Sequence, residues 1–269
     1  MRYSLAAMWR RQRNPRRREV TLRPVTLPAT TASDLYASSY NPVIAAWTAA
    51  QAAIMAEYER SLSALTTDGA AEIGDILTRT ENDIATILLS IRLRLARWTS
   101  IAERIQRQRW AAAVKAGTGV DIGMMIGPEG ARETLGAAIE RNVGLVRSVS
   151  EATRTKIGEA VFRGLSQRRS AREVAAEIRE GVAISRRRAL NIASDQTVKI
   201  ASQLNSERRR EAGIDTWEWL SSHKAHFRPE HAARDGKRYS DEDAPDDLPG
   251  ELPYCGCTER AVLSLDGKF

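Results

Sequence analysis

The first 222 residues contain neither histidine nor cysteine. Aromatic residues make up only 6% of the 269, and no apolar run approaches the roughly 18 residues that a membrane-spanning helix needs. Each shortage excludes something. Two cysteines separated by one glycine are too close for an ordinary disulfide staple, so a disulfide-built scaffold is out and a reduced, cytoplasmic setting is expected. Few aromatics beside abundant Ala, Arg and Glu disfavour a sheet sandwich and favour long helices. The most aliphatic stretch, Ile87 to Ile91, contains Ser90 and meets Arg92 and Arg94 at once, so no membrane association is expected. Met1 to Trp9 runs into arginines without the apolar segment of a secretory signal. There is also no Gly-rich phosphate loop and no Gly-x-Ser-x-Gly elbow.

The formal charge is concentrated at the N-terminus. Residues 1–24 hold eight arginines, Arg2, Arg10, Arg11, Arg13, Arg16, Arg17, Arg18 and Arg23, against the single Glu19. That segment alone carries the formal net charge of +7, and the remainder balances to zero. Residues 1–41 therefore read as a flexible Arg-rich arm and extended linker. Arg10, Arg11, Arg13, Arg16, Arg17 and Arg18 are its candidate contacts to a polyanion such as double-stranded DNA or an acidic protein surface. A second basic concentration, Arg186 to Arg188 and Arg208 to Arg210, reads as a solvated, salt-bridged helix face.

Helical periodicity dominates the chain from residue 41 to residue 213. Asn41 and Pro42 have the chemistry of a helix start. Leu77, Ile84, Ile91, Trp98 and Ile105 then recur every seven residues, a coiled-coil seam. Residues 42–116 are thus expected as a long helical hairpin, and residues 128–213 as a helical domain with helices near 129–141, 145–164, 170–180 and 185–211. Ser170 with Glu173 forms a capping box, and Gly213 ends the last helix. Beyond it, residues 216–220 and 258–265 read as strands flanking a polar loop at 241–253. The fold class expected is mainly α, a long antiparallel helical hairpin plus a helical domain, with a small C-terminal α+β knob at 214–269. That knob is too poor in aliphatic residues to stand without a metal or the preceding helices.

All five imidazole and thiol donors of the chain sit in this knob: His223, His226, His231, Cys255 and Cys257. Tetrahedral zinc needs four N or S donors. Gly256 permits both cysteines to ligate from one turn, and His231 is the best imidazole partner, followed by His226 or His223. Two readings stay open, bound Zn2+ and a pair of buried thiols beside a hydrogen-bonded histidine. A metal-dependent HNH-like DNA nuclease is a further alternative, although no Asn to orient a base occurs from His223 to Phe269. Non-specific DNA binding through the Arg-rich arm is another.

The knob and the helix before it carry an ordered series of motifs. Arg188-Ala189, Ile192-Ala193 and Asp195-Gln196-Thr197 lead to Gly213 and then to Trp217-x-Trp219. Next come Arg228-Pro229-Glu230-His231, Asp235-Gly236-Lys237, an acidic loop and Cys255-Gly256-Cys257. Over roughly residues 140–265, or 128–265 with the helical domain, this closely resembles the head morphogenesis domain of the Mu F-like minor head proteins of tailed bacteriophages. The resemblance implies a structural, non-enzymatic minor capsid protein in the virion, at the capsid interior or portal vertex, and in the host cytoplasm during assembly. Its implied partner is the portal protein, with the major capsid or scaffolding protein and packaged DNA as further candidates. Trp219, Arg228, His231, Gly236, Cys255 and Cys257 would be the family's characteristic residues here. Where members often carry an acidic Asp-x-Arg element, this chain has His223-Lys224-Ala225-His226.

Overall fold

A computed structural model describes residues 3–12, 17–64, 69–225 and 227–265. In chain order the elements are α1 (Leu5–Arg11), β1 (Glu19–Thr21), α2 (Ala29–Leu35), α3 (Asn41–Ala64), α4 (Gly69–Leu89) and α5 (Ile91–Thr118). They continue with α6 (Arg132–Ser166), α7 (Ala171–Glu211), β2 (Trp217–Leu220), α8 (Pro229–Ala233), β3 (Arg238–Tyr239) and β4 (Thr258–Ser264). The mainly helical class with a small C-terminal sheet is as expected. Among the described residues no helix is long and apolar enough to cross a membrane. The chain divides into two compact units. A helical unit comprises Ala32–Arg97 and Ile139–Ala193, and a sheet unit comprises Met1–Thr31, Trp98–Ala138 and Ser194–Phe269.

In the helical unit α3 packs against α4. Val43, Trp47, Ile54 and Tyr58 of α3 are buried, as are the seam residues Leu77, Ile84 and Ile91. The seam is interrupted where the sequence implied one helix: α4 stops at Leu89 and α5 begins at Ile91, and the Ser90 hydroxyl donates to the Ile87 carbonyl at 3.0 Å. Two buried polar pairs fix the register between the α3 side and α6. Tyr40 Oη donates to Asn142 Oδ1 at 2.9 Å, and Trp47 Nε1 donates to Ser150 Oγ at 3.1 Å.

The four helices expected between 129 and 211 are two. Gly144 and Gly181, which fall in the gaps between the expected helices, lie inside α6 and α7. A glycine mid-helix costs about 1 kcal/mol against alanine, a penalty that packing offsets. At Gly181 a Cβ would come within 3.2 Å of Lys156 Cβ, so the missing side chain is what lets the two helices approach. The capping box forms as read: the Ser170 amide donates to Glu173 Oε2 at 3.0 Å and the Glu173 amide to Ser170 Oγ at 3.4 Å. Gly213, at φ 67°, closes α7 with a Schellman pair, Ile214 N to Arg209 O at 3.0 Å and Gly213 N to Arg210 O at 3.1 Å.

The sheet unit is built on an antiparallel four-stranded sheet in the order β1-β4-β2-β3. Its first strand comes from the segment expected to be a flexible arm, which is a correction. Leu5 and Trp9 lie one turn apart on α1 and are buried in one cluster with Leu22, Val25, Trp110 and Val114. The Tyr3 and Leu5 amides donate to the carbonyls of Glu211 and Ala212, and Leu265 N donates to Arg18 O at 2.7 Å. Arginine density hides this apolar spacing in the sequence.

The second basic concentration is also not as expected. Arg208 and Arg209 are fully buried, whereas Arg187 is on the surface beside Glu180. Arg208 pairs with Glu103 at 2.5 Å and Glu211 at 2.7 Å, and Arg209 with Glu259 at 3.2 Å and with Asp241. Burial pushes the Glu259 carboxyl up, opposed by the Arg209 charge. Asp241 is tugged upward by its partial burial, but the hydrogen bonds and charges of Arg209 and Arg210 outweigh that and hold it below the usual carboxylate range.

Candidate metal centre

Three side chains from two separate segments, α8 and the Cys255-Gly256-Cys257 turn, converge next to the sheet. Pro229 occupies the first turn of α8, where a missing N–H costs nothing, and the short helix presents His231 inward at 3% exposure. After α8, the chain turns at Gly236, φ 74°, whose amide donates to the Trp219 carbonyl and so ties the turn to β2. Only glycine takes that conformation cheaply, which explains why Gly236 follows the helix. Cys255 and Cys257 are both free and buried, and they pack with Trp217 and Trp219.

The imidazole is oriented from behind. His231 Nε2 lies 2.7 Å from Asp247 Oδ2, and Asp247 Oδ1 receives Arg234 at 2.5 Å. Burial raises the Asp247 carboxyl, but those two hydrogen bonds and the Arg234 charge prevail and keep it below its ordinary value. An ionised Asp247 favours the tautomer in which Nε2–H donates a hydrogen bond to it, which leaves the lone pair of Nδ1 for the thiols. Trp219 meets the imidazole edge-on at 5.1 Å between ring centroids, and the Arg234 guanidinium sits 5.1 Å from the Trp219 centroid.

His231 Nδ1 is 3.4 Å from Cys255 Sγ and 3.6 Å from Cys257 Sγ, and all three donor atoms lie within 4.8 Å of one another. Tetrahedral zinc, with Zn–S of about 2.3 Å and Zn–N of about 2.0–2.1 Å, requires N···S separations of roughly 3.5 Å. The two separations bracket that value. The thiols also bias each other: the hydrogen bond from Cys257 pushes Cys255 down to about 5, and the same bond drives Cys257 upward. One shared proton and one thiolate are what a soft cation displaces and binds.

The other expected ligands do not join this group. His223 is exposed, at φ 50°, with Nε2 3.5 Å from Asp235 Oδ2. His226 lies outside the described residues, as do Arg13 and Arg16 of the N-terminal segment. Arg11 and Arg17 are exposed, whereas Arg10 donates to the Leu265 carbonyl; Arg18, exposed too, accepts the Leu265 amide through its carbonyl. Arg228 donates to the Pro253 carbonyl at 3.0 Å, bracing the loop ahead of the cysteines. A small cleft of about 20 Å³, room for roughly one water, opens on the three donors between Lys224, Phe227, Arg228 and Tyr254. The sequence reading missed Asp247, Arg234, Asp195 and Lys199. The first two stand in a loop and a turn with no periodicity to mark them. The third was visible only as part of a motif.

The arrangement defines a helix-backed antiparallel sheet with a buried His/Cys/Cys donor group. Residues 155–260 match the family described as Phage Mu protein F like protein, so the expected resemblance is borne out over this region. The chain is also similar to an "Uncharacterized protein" of Haemophilus influenzae, 28% identical over 153 residues, which is 56% of this chain and 34% of the relative. It thus spans about a third of that relative's length. No solved structure matches significantly.

Proposed function

We propose that the chain is a structural minor head protein of a tailed bacteriophage that acts in head assembly at the portal vertex, and that zinc on His231, Cys255 and Cys257 closes its sheet unit. The observation that carries this reading is the extent of the family match. It runs from α6 to the start of β4 and takes in all three convergent donors together with Trp219, Arg228 and Gly236. A structural role fits the chemistry, because a metal tetrahedron built into a small sheet supplies the folding energy its short strands do not. The fourth zinc donor is His226 or a small ligand entering through the cleft. Comparing zinc affinity in His226→Ala and His223→Ala tells the two apart.

The portal protein is the expected partner, with the major capsid or scaffolding protein as further candidates. Arg11 and Arg17, together with Arg13 and Arg16, form a cationic segment suited to an acidic portal face or to packaged DNA. Co-expression of the chain with the portal protein of the same phage tests the reading. A stable complex on size exclusion, and incorporation of the chain into proheads, are expected. Absence from the portal complex and from particles at every stage of assembly contradicts it.

A further inference from the structure

Cys255 does not reach His231 by its own turn alone, because the segment leading to it has no regular structure. Five successive carbonyls, Pro249 to Pro253, point away from any strand partner, yet each is met by a side-chain donor. Ser202 Oγ donates to Pro249 O. Lys199 Nζ donates to Gly250 O at 3.3 Å, Glu251 O at 2.5 Å and Leu252 O at 3.1 Å. Arg228 takes Pro253 O from the other side. An ammonium has three donors and no acceptor, so three converging carbonyls satisfy it completely.

The next residue is the strained one. Tyr254 has φ 60°, a conformation costly for any residue but glycine, and such outliers persist only where the surroundings over-determine them. Its amide donates to Asp195 Oδ1 at 2.5 Å. Asp195 is buried, held by Gln196 Nε2 at 3.0 Å, and stands 3.5 Å from Lys199 Nζ one helical turn on. The pair neutralise each other, which lowers the cost of placing both against the loop. Gly250, at φ 77°, lets the backbone lie on α7: a Cβ there would come within 3.0 Å of Ser202 Cβ.

We propose that Asp195 and Lys199 are positioning residues for the metal centre. Presented by α7 at 195, 199 and 202, one polar stripe racks the 249–254 segment and sets the Tyr254 backbone, so that Cys255 and Cys257 face His231 Nδ1 before any ion arrives. Asp195 thereby acts on the site without touching its donors. The inference rests on the zinc reading for its function, but its geometry concerns the metal-free thiols and is testable without zinc.

The experiment uses the full chain. Zinc affinity is measured by competition with a chromophoric chelator, and the iodoacetamide alkylation rate of the two thiols is measured in metal-free protein. Lys199→Met and Asp195→Ala are expected to weaken zinc binding about ten- to hundred-fold, the usual cost of losing an outer-shell support. They are also expected to speed alkylation several-fold. Asp195→Asn, which keeps an acceptor for the Tyr254 amide, recovers most of both. Ser206→Ala, on the same helix but bonded to Glu259 rather than to the loop, changes neither. Lys199→Gln substitutes should the methionine variant not fold. Unchanged alkylation in both loop-facing variants, or an equal effect from Ser206→Ala, overturns the proposal. A wild-type chain that takes up no zinc, while alkylation still responds to the variants, defeats the zinc reading and leaves the rack standing.

Discussion

Each of the two units is stabilised internally by a different balance of forces. The helical unit relies on long apolar faces, with a few buried hydrogen-bonded pairs such as Tyr40–Asn142 to fix register. The sheet unit has strands of two to seven residues, and to its apolar cluster around Leu5, Trp9 and Trp110 it adds buried ions, side-chain-to-carbonyl bonds and a donor group. Apolar packing tolerates substitution in proportion to volume. A buried charge network fails abruptly, because removing one partner strands the others. The contrast predicts which unit yields to which kind of change.

Arg209→Met should have the largest effect among single substitutions outside the donor group, about 3–5 kcal/mol, since it leaves Glu259 and Asp241 without their shared cation. Urea unfolding, with hydrogen exchange to locate the loss in the sheet unit, checks it; a cost below about 1 kcal/mol would erase the contrast. In the helical unit, Gly164→Ala brings a methyl within 2.5 Å of Val174 Cγ2 and 2.7 Å of Tyr58 Oη. Tyr58 is itself fixed by a 2.7 Å bond to the Arg169 carbonyl, so the neighbour has little room to yield. Overpacking of this kind costs about 1–3 kcal/mol and should melt the helical unit first. Ser170→Ala removes a cap that the Glu173 side chain shares and should cost about 1 kcal/mol in the same unit.

Acid gives the smallest but most selective difference. The folded Asp241 carboxyl lies below its ordinary value, so the unfolded chain binds more protons in the window between the two. Its stabilising contribution is present above the ordinary carboxylate value and fades as pH falls through the folded one. Asp241→Asn should flatten the acid limb of sheet-unit stability, measured by denaturant midpoints across pH 5 to 2, and leave the helical unit's limb unchanged.

The same contrast governs what could be read in advance. Periodic burial in α3 and α4, the Ser170 capping box, the Gly213 stop and the Trp217–Trp219 strand all announce themselves locally. So does the meeting of His231 with the two cysteines, because rare donors crowd one stretch. What stayed hidden depends on partners distant in sequence. Gly181 falls between two expected helices until the opposing helix, with Lys156, is known. Leu5 and Trp9 are masked by arginines, and β1 pairs with a strand more than 240 residues away. Arg208 and Arg209 read as a surface patch because their acids come from α5, β4 and a loop. Asp247 is one of several acids in that loop, and only the fold selects it as the support of His231.

Metal content decides the central claim most directly. Purified protein analysed by inductively coupled plasma mass spectrometry, alongside the Cys255→Ser, Cys257→Ser double variant, should give about one zinc per chain for the first and none for the second. Hydrogen-exchange protection should be lost in the sheet unit alone. A wild-type chain free of zinc, with a serine variant equally protected, would contradict the account.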